Sequence, residues 1–154
     1  STKELFEKVN SEIIKMLLPH QYITGFYSIF DPKSNKLYYS NAGHVKPLFF
    51  QKVSSKIFSL DTDGLFLGIS LDSFYKMKSI NVSNGDRLFL YTDGITELRG
   101  NHNEEFGEKR LASFIKKNKD LKGDKFCDKL LRNLKSFTSF EKQNDDVAFM
   151  NIEF

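Results

Sequence analysis

The chain has 154 residues, 40% of them hydrophobic and 28% charged, enough for one closed core and hardly for two. Its net charge of +3 comes from Lys and Arg spread among Asp and Glu, without a basic block or a basic stripe interleaved with aromatics, so no nucleic acid partner is expected. The single cysteine, Cys127, excludes an internal disulfide and a multi-cysteine metal knuckle, and no apolar run approaches the roughly 20 residues of a membrane helix.

The opening Ser1-Thr2-Lys3-Glu4 lacks the charged-then-apolar order of a signal peptide. A cytoplasmic setting with no membrane contact by this segment is expected, and a start without Met fits a longer parent carrying a membrane or sensor segment upstream. Sixteen Phe and six Tyr with no Trp suit pleated surfaces better than helix interiors, which points to an α+β class.

In chain order, Leu5, Val9, Ile13, Met16 and Leu17 predict an amphipathic helix over residues 2–18, capped by Ser1 or Thr2 and stopped by Pro19. Residues 22–30 and 36–40 predict a β-hairpin about the turn Asp31-Pro32-Lys33-Ser34-Asn35. Asn41-Ala42-Gly43-His44 interrupts the pattern. Residues 47–51 and 56–60 then read as two short strands joined at Ser54-Ser55, continuing a meander. Gly68, within the apolar stretch 65–69, is expected to serve a bend or a close backbone approach. Residues 74–82 alternate as a strand, Ser83-Asn84-Gly85-Asp86 is a tight turn, and the nearly continuous apolar run 87–91 predicts a strand buried on both faces. Helices are expected over 107–117 and 125–137, the second carrying Cys127 as a packing residue. A polar and mobile connection over 138–144 leads to a last strand over 147–154.

Two acidic points stand out. Thr92-Asp93-Gly94 ends the buried strand, and Asn144-Asp145-Asp146 opens the last one. Carboxylates where strands become loops have anchored backbones and free side chains, which suits a hard divalent cation such as Mg²⁺. Each motif alone also reads as ordinary structure, an Asp-Gly turn and a polar strand start, and only folding can bring the two together. His44 has no neighbouring His or Cys and is expected to be a structural, hydrogen-bonding histidine. His20 and His102 lie in polar loops. Asp61, Asp63 and Asp86 sit in turns where Asp is common, so they are left out of the candidate set.

Taken together, Asn41-Ala42-Gly43-His44, Leu67-Gly68-Ile69, Gly85-Asp86 with Leu88-Phe89-Leu90-Tyr91-Thr92-Asp93-Gly94, Phe106-Gly107 with Arg110-Leu111, and Asp145-Asp146-Val147 have an order and spacing that resemble one family. That family is the bacterial SpoIIE-like serine phosphatases, a branch of the metal-dependent PPM protein phosphatases. The resemblance runs from the first helix to the last strand. It implies stacked antiparallel sheets flanked by helices, a two-metal site holding Mn²⁺ or Mg²⁺, and hydrolysis of phosphoserine or phosphothreonine without a protein nucleophile. Asp93, with Gly94 beside it, matches the family's metal-binding Thr-Asp-Gly position. Asp145 matches the acidic ligand before the final strand, and Asp146 fills the neighbouring position.

The family's upstream Gly-Gly-Asp strand and Asp-x-x-Gly-His-Gly turn do not occur here, since the chain has no Gly-Gly pair and its only Gly-His pair is Gly43-His44. The resemblance therefore implies a single domain over 1–154 that is the C-terminal portion of a phosphatase domain, with an incomplete metal site and weak or absent activity by itself. Sheet edges exposed by the missing strands imply self-association, such as a homodimer. The expected parent is a protein-serine/threonine phosphatase acting on a phosphorylated regulatory protein such as an anti-sigma-factor antagonist. The alternative is a non-catalytic module that keeps the scaffold as an interaction surface.

Overall fold

A computed structural model describes residues 1–138 and 146–154. These residues form two compact units, Ser1–Lys46 with Leu60–Ser83, and Pro47–Ser59 with Asn84–Phe154. Residues 139–144 of the polar connection lie outside the described set.

The first unit holds α1 (Thr2–Ile13), β1 (Gly25–Asp31), β2 (Lys36–Ala42) and β5 (Lys78–Asn81), with the strands in the antiparallel order β1-β2-β5. The Ser1 and Glu4 side chains start α1 as a capping box, each satisfying a backbone donor that the first turn leaves open. The helix is shorter than its apolar spacing predicts, and its buried face differs. Thr2, Phe6 and Asn10 are buried, whereas Leu5 is partly exposed and Met16 is 80% exposed. Two of the three buried residues are polar and both are satisfied. Thr2 Oγ1 lies 2.7 Å from Ser40 Oγ, and the Asn10 amide donates to Ser70 O at 2.8 Å and accepts from Gly68 N at 2.8 Å. Phe6, Ala42, Leu67 and Tyr75 form the core that Val9 and Ile13 border.

The β1–β2 hairpin follows the predicted turn. Asp31 accepts from Lys33 N at 2.9 Å and from Ser34 Oγ at 2.6 Å, and Asn35 takes a positive φ of 50°. The meander does not continue. β2 lies between β1 and β5, and the next strand belongs to a different sheet. The cause is the Asn41-Ala42-Gly43-His44 segment, where the Asn41 side chain donates to His44 O at 2.9 Å and accepts from His44 N at 2.7 Å. Gly43 sits at φ +69°, with the Phe66 ring 1.9 Å from where a Cβ would stand, so only glycine closes this loop. Gly68 likewise combines φ +91° with a close approach, here by Leu17. The strand expected over 74–82 narrows to β5, and Tyr75 forms only an isolated bridge with Gly64.

The second unit holds β3 (Leu48–Gln51), β4 (Lys56–Ser59), β6 (Arg87–Tyr91), α2 (Asp93–Thr96), α3 (Gly107–Lys117), α4 (Gly123–Phe137) and β7 (Phe149–Glu153). Its sheet is antiparallel with order β4-β3-β6-β7. β6 spans the predicted residues, and Arg87, Leu88, Phe89 and Tyr91 are all buried. Phe89 stacks on Tyr91 and Phe149 and meets Phe126 of α4 edge-on at 6.1 Å. Of the spacing Phe126, Leu130, Leu131, Leu134 and Phe137 that predicts the apolar face of α4, Phe126, Leu130 and Leu134 are buried and Leu131 is 40% exposed, and Cys127 is half-buried. Burial, then the nearby Asp124 carboxylate, pushes the Cys127 thiol pKa up.

Arg87 is the unusual member of β6, a guanidinium only 3% exposed. It lies 3.9 Å over the Phe126 ring, donates to Leu121 O, and sits 3.4 Å from Glu153. Glu153 also accepts from Gly123 N at 3.0 Å, so this one carboxylate serves a donor at the start of α4 as well as Nη2 of the buried cation, whose Nη1 has no hydrogen-bond partner among the described residues.

Candidate metal centre

The β6–β7 ladder ends at the pair Tyr91 and Phe149. One residue further, Thr92 holds the two chains together. Its N–H donates to Ala148 O at 3.0 Å, and its hydroxyl accepts from Ala148 N at 3.1 Å and donates to Asp146 O at 3.0 Å. The backbones leading to Asp93 and Asp146 are therefore tied by one side chain. Folding brings the two acidic segments to the same end of one strand pair, a juxtaposition the sequence does not contain.

Asp93 is not followed by the glycine turn that Asp-Gly suggests. Thr92 is extended, at φ −92° and ψ 158°, and Asp93 and Gly94 open the single helical turn α2. Asp93 O accepts from Glu97 N at 2.8 Å and Thr96 Oγ1 at 3.0 Å, and Ile95, 0% exposed, anchors the turn. Gly94 is buried, whereas the Asp93 and Asp146 side chains are exposed. Asp145 lies outside the described residues.

Both described donors are carboxylates, hard oxygen ligands on anchored backbones, and in kind they fit Mg²⁺ or Mn²⁺. Among the described residues, no group of three or more His, Cys, Asp or Glu side chains gathers as a metal cluster. A full ligand shell would thus draw on donors beyond them.

Asp86, Asp61 and Asp63 have other duties. Asp86, 0% exposed, accepts from Lys52 N at 2.9 Å and fixes the β3–β4 turn. Asp61 pairs with Lys46 at 3.0 Å. Asp63 pairs with Lys76, which holds its carboxyl below the ordinary carboxylate range. His44 makes its backbone contacts with Asn41 and places Nδ1 3.1 Å from Thr24 Oγ1, the structural role expected of it. Beside the site, burial and then the Glu108 charge push the Tyr91 phenol pKa up to about 12.

The role of Thr92 escapes a reading centred on carboxylates, although Thr-Asp is a helix-start signal that could have exposed α2. Its hydroxyl makes no cap bond in α2 and bonds across to the chain entering β7 instead.

Two antiparallel sheets with four helices, in this order, define the PP2C-type phosphatase fold. The SiaA PP2C domain of Pseudomonas aeruginosa superposes with a TM-score of 0.85 at 16% identity, covering 99% of this chain and 60% of that one. The phosphatase domain of SpoIIE from Bacillus subtilis, presoaked with Mn, superposes at 0.65 with 18% identity, covering 99% of this chain and 73% of that one. The sequence model of the family described as Stage II sporulation protein E (SpoIIE) matches residues 1–154, and the chain belongs to that family. The phosphoserine phosphatase RsbU of Bacillus subtilis is 28% identical over 96 residues, which are 62% of this chain and 29% of RsbU. The chain thus spans less than a third of that curated relative.

Proposed function

We propose that the chain is part of a metal-dependent serine/threonine protein phosphatase that hydrolyses phosphoserine or phosphothreonine on a regulatory protein, such as an anti-sigma-factor antagonist, in the cytoplasm. The observation that carries this reading is the Thr92 tie, which holds the Asp93 and Asp146 segments at one strand end. Membership of the SpoIIE family, similarity to a phosphoserine phosphatase and likeness to a Mn-presoaked phosphatase domain support a chemical reading of that arrangement.

Asp93, Asp145 and Asp146 would hold Mn²⁺ or Mg²⁺, with Gly94 keeping the backbone close beside Asp93. When bound, a metal pair supplies an activated water and charge neutralisation for in-line phosphoryl transfer. The chain's own residues provide rigidity. Ile95 anchors the turn that presents Asp93, and Thr92 fixes where Asp146 stands relative to it. Residues 1–154 are read as the C-terminal portion of one phosphatase domain.

A second reading, a non-catalytic interaction module, is motivated by the sequence, which lacks the family's Gly-Gly-Asp strand and Asp-x-x-Gly-His-Gly turn. The large apolar side chains left exposed in the first unit, among them Tyr22, Leu71 and Phe74, support self-association as a homodimer. No helix among the described residues is long and apolar enough to cross a membrane.

The test is turnover of a phosphoserine protein by the intact parent protein with Mn²⁺. Asp93→Asn and Asp145→Asn are each expected to lower the rate by about two orders of magnitude or more, since metal stabilisation of the transition state is worth several kcal/mol. Undiminished turnover in both variants sinks the phosphatase reading. An inactive parent that still binds its partner establishes the module.

A further inference from the structure

α3 and α4 run antiparallel. Asn118 closes α3, donating from Nδ2 to Phe114 O at 2.8 Å, and Leu121 N reaches Asn118 O at 3.1 Å as the chain turns toward α4. At the far end Phe106 meets Phe137 edge-on at 5.2 Å, and nearer the turn Phe114 meets Phe126 at 5.5 Å. An open cleft of about 910 Å³ lies between the helices. Phe106 and Phe114, 3% and 8% exposed, are recessed in it, while the exposed side chains of Arg110, Lys117, Lys129 and Arg132 stand along it.

Among the described residues no carboxylate lines this cleft, and none of the four cations belongs to an ion pair. Arg110 and Lys117 lie two turns apart on α3, and Lys129 and Arg132 about one turn apart on α4, so each helix contributes a pair along one side. Arg110 is held in place, donating to the carbonyls of Glu105 and Phe106 and lying 5.1 Å over the Phe137 ring. Scattered through a sequence of net charge +3, these cations are gathered only by folding. Glu104 lies within electrostatic reach of Arg110, and Asp128 lines the neighbouring pocket with Lys129 and Arg132, so the charge is partly offset outside the cleft. Along the cleft itself the cations repel one another, and a ligand that supplies carboxylates relieves that repulsion.

We propose that the α3–α4 cleft docks an acidic segment of a partner protein, its carboxylates meeting Arg110, Lys117, Lys129 and Arg132 and an apolar side chain entering over Phe106 and Phe114. Nucleic acid fits less well, because bases stack on exposed ring faces and these rings are buried. A membrane surface also fits less well, because interfacial binding needs projecting apolar groups, and here the apolar groups are recessed beneath the cations. The site uses none of the candidate metal ligands and does not rest on the phosphatase reading.

The experiment is fluorescence anisotropy of the full chain with a labelled amphipathic peptide of about four helical turns, carrying Glu and Leu on one face. Saturable binding is expected, weakening as salt is raised and weakening about tenfold or more in the Lys129→Glu/Arg132→Glu double variant, whose circular dichroism and melting stay unchanged. Arg132→Lys should keep most of the affinity, and a peptide with Leu replaced by Ser should lose it. The proposal is overturned by equal binding to the double variant, by no binding at low salt, or by an oligonucleotide of equal charge displacing the peptide more readily than unlabelled peptide does. It is likewise overturned if the double substitution abolishes binding to anionic vesicles while the peptide does not bind. Neither metal nor phosphoester enters this measurement, so its failure leaves the phosphatase reading standing.

Discussion

At the scale of single residues, Thr92 ties together the two chain segments that carry the candidate carboxylates Asp93 and Asp146. Its hydroxyl serves as donor to Asp146 O and as acceptor from Ala148 N. Thr92→Val keeps the shape and removes both bonds, and because water can reach the freed groups the expected loss is about 1 kcal/mol, read by denaturant unfolding. Thr92→Ser should retain most of it, and equal stability of the Val and Ser variants would deny the tie. Tyr91 makes a pH-dependent prediction. Its folded pKa of about 12 lies above the ordinary 10.0, so the folded state keeps the phenol proton longer. The associated stability is complete below pH 10.0 and is lost as pH rises toward about 12. Unfolding free energies measured across that window should fall less steeply for Tyr91→Phe. Burial also raises Tyr39 and Tyr75, so some slope should remain.

At the scale of elements, legibility followed how much of each element's burial is apolar. β6 and α3 could be read to the residue, because their apolar runs and spacing match the faces they bury. α1 could not, since Thr2 and Asn10 hold its buried face through hydrogen bonds that periodicity does not register. The one-turn α2 was hidden behind an Asp-Gly pair that reads as a turn. The division into two sheets was hidden in the Asn41–His44 loop, whose closure depends on side-chain bonds and on a positive φ at Gly43. Asn10 tests the importance of these polar contacts. Asn10→Ala leaves Gly68 N and Ser70 O without their partner in a part-buried setting, for an expected cost of about 2 kcal/mol. A melting temperature unchanged from the parent chain would show that water replaces the amide.

At the scale of the whole chain, family and fold were legible because the motifs keep a common order from the first helix to the last strand, and the match to the SpoIIE family covers residues 1–154. Of the proposed site, Asp93 and Asp146 are candidates from the sequence alone, whereas the placing of their backbone segments at one strand end depends on β6 pairing with β7 and on the Thr92 hydroxyl. The most direct test of whether the two segments share a metal is nuclear magnetic resonance of the chain titrated with Mn²⁺, whose paramagnetic broadening falls steeply with distance. One shared ion predicts that the amide signals of Thr92 to Gly94 and of Asp146 to Ala148 broaden together at the same Mn²⁺ concentration, and that Asp93→Asn suppresses the broadening in both segments. Broadening confined to one segment, or unchanged by Asp93→Asn, would contradict it.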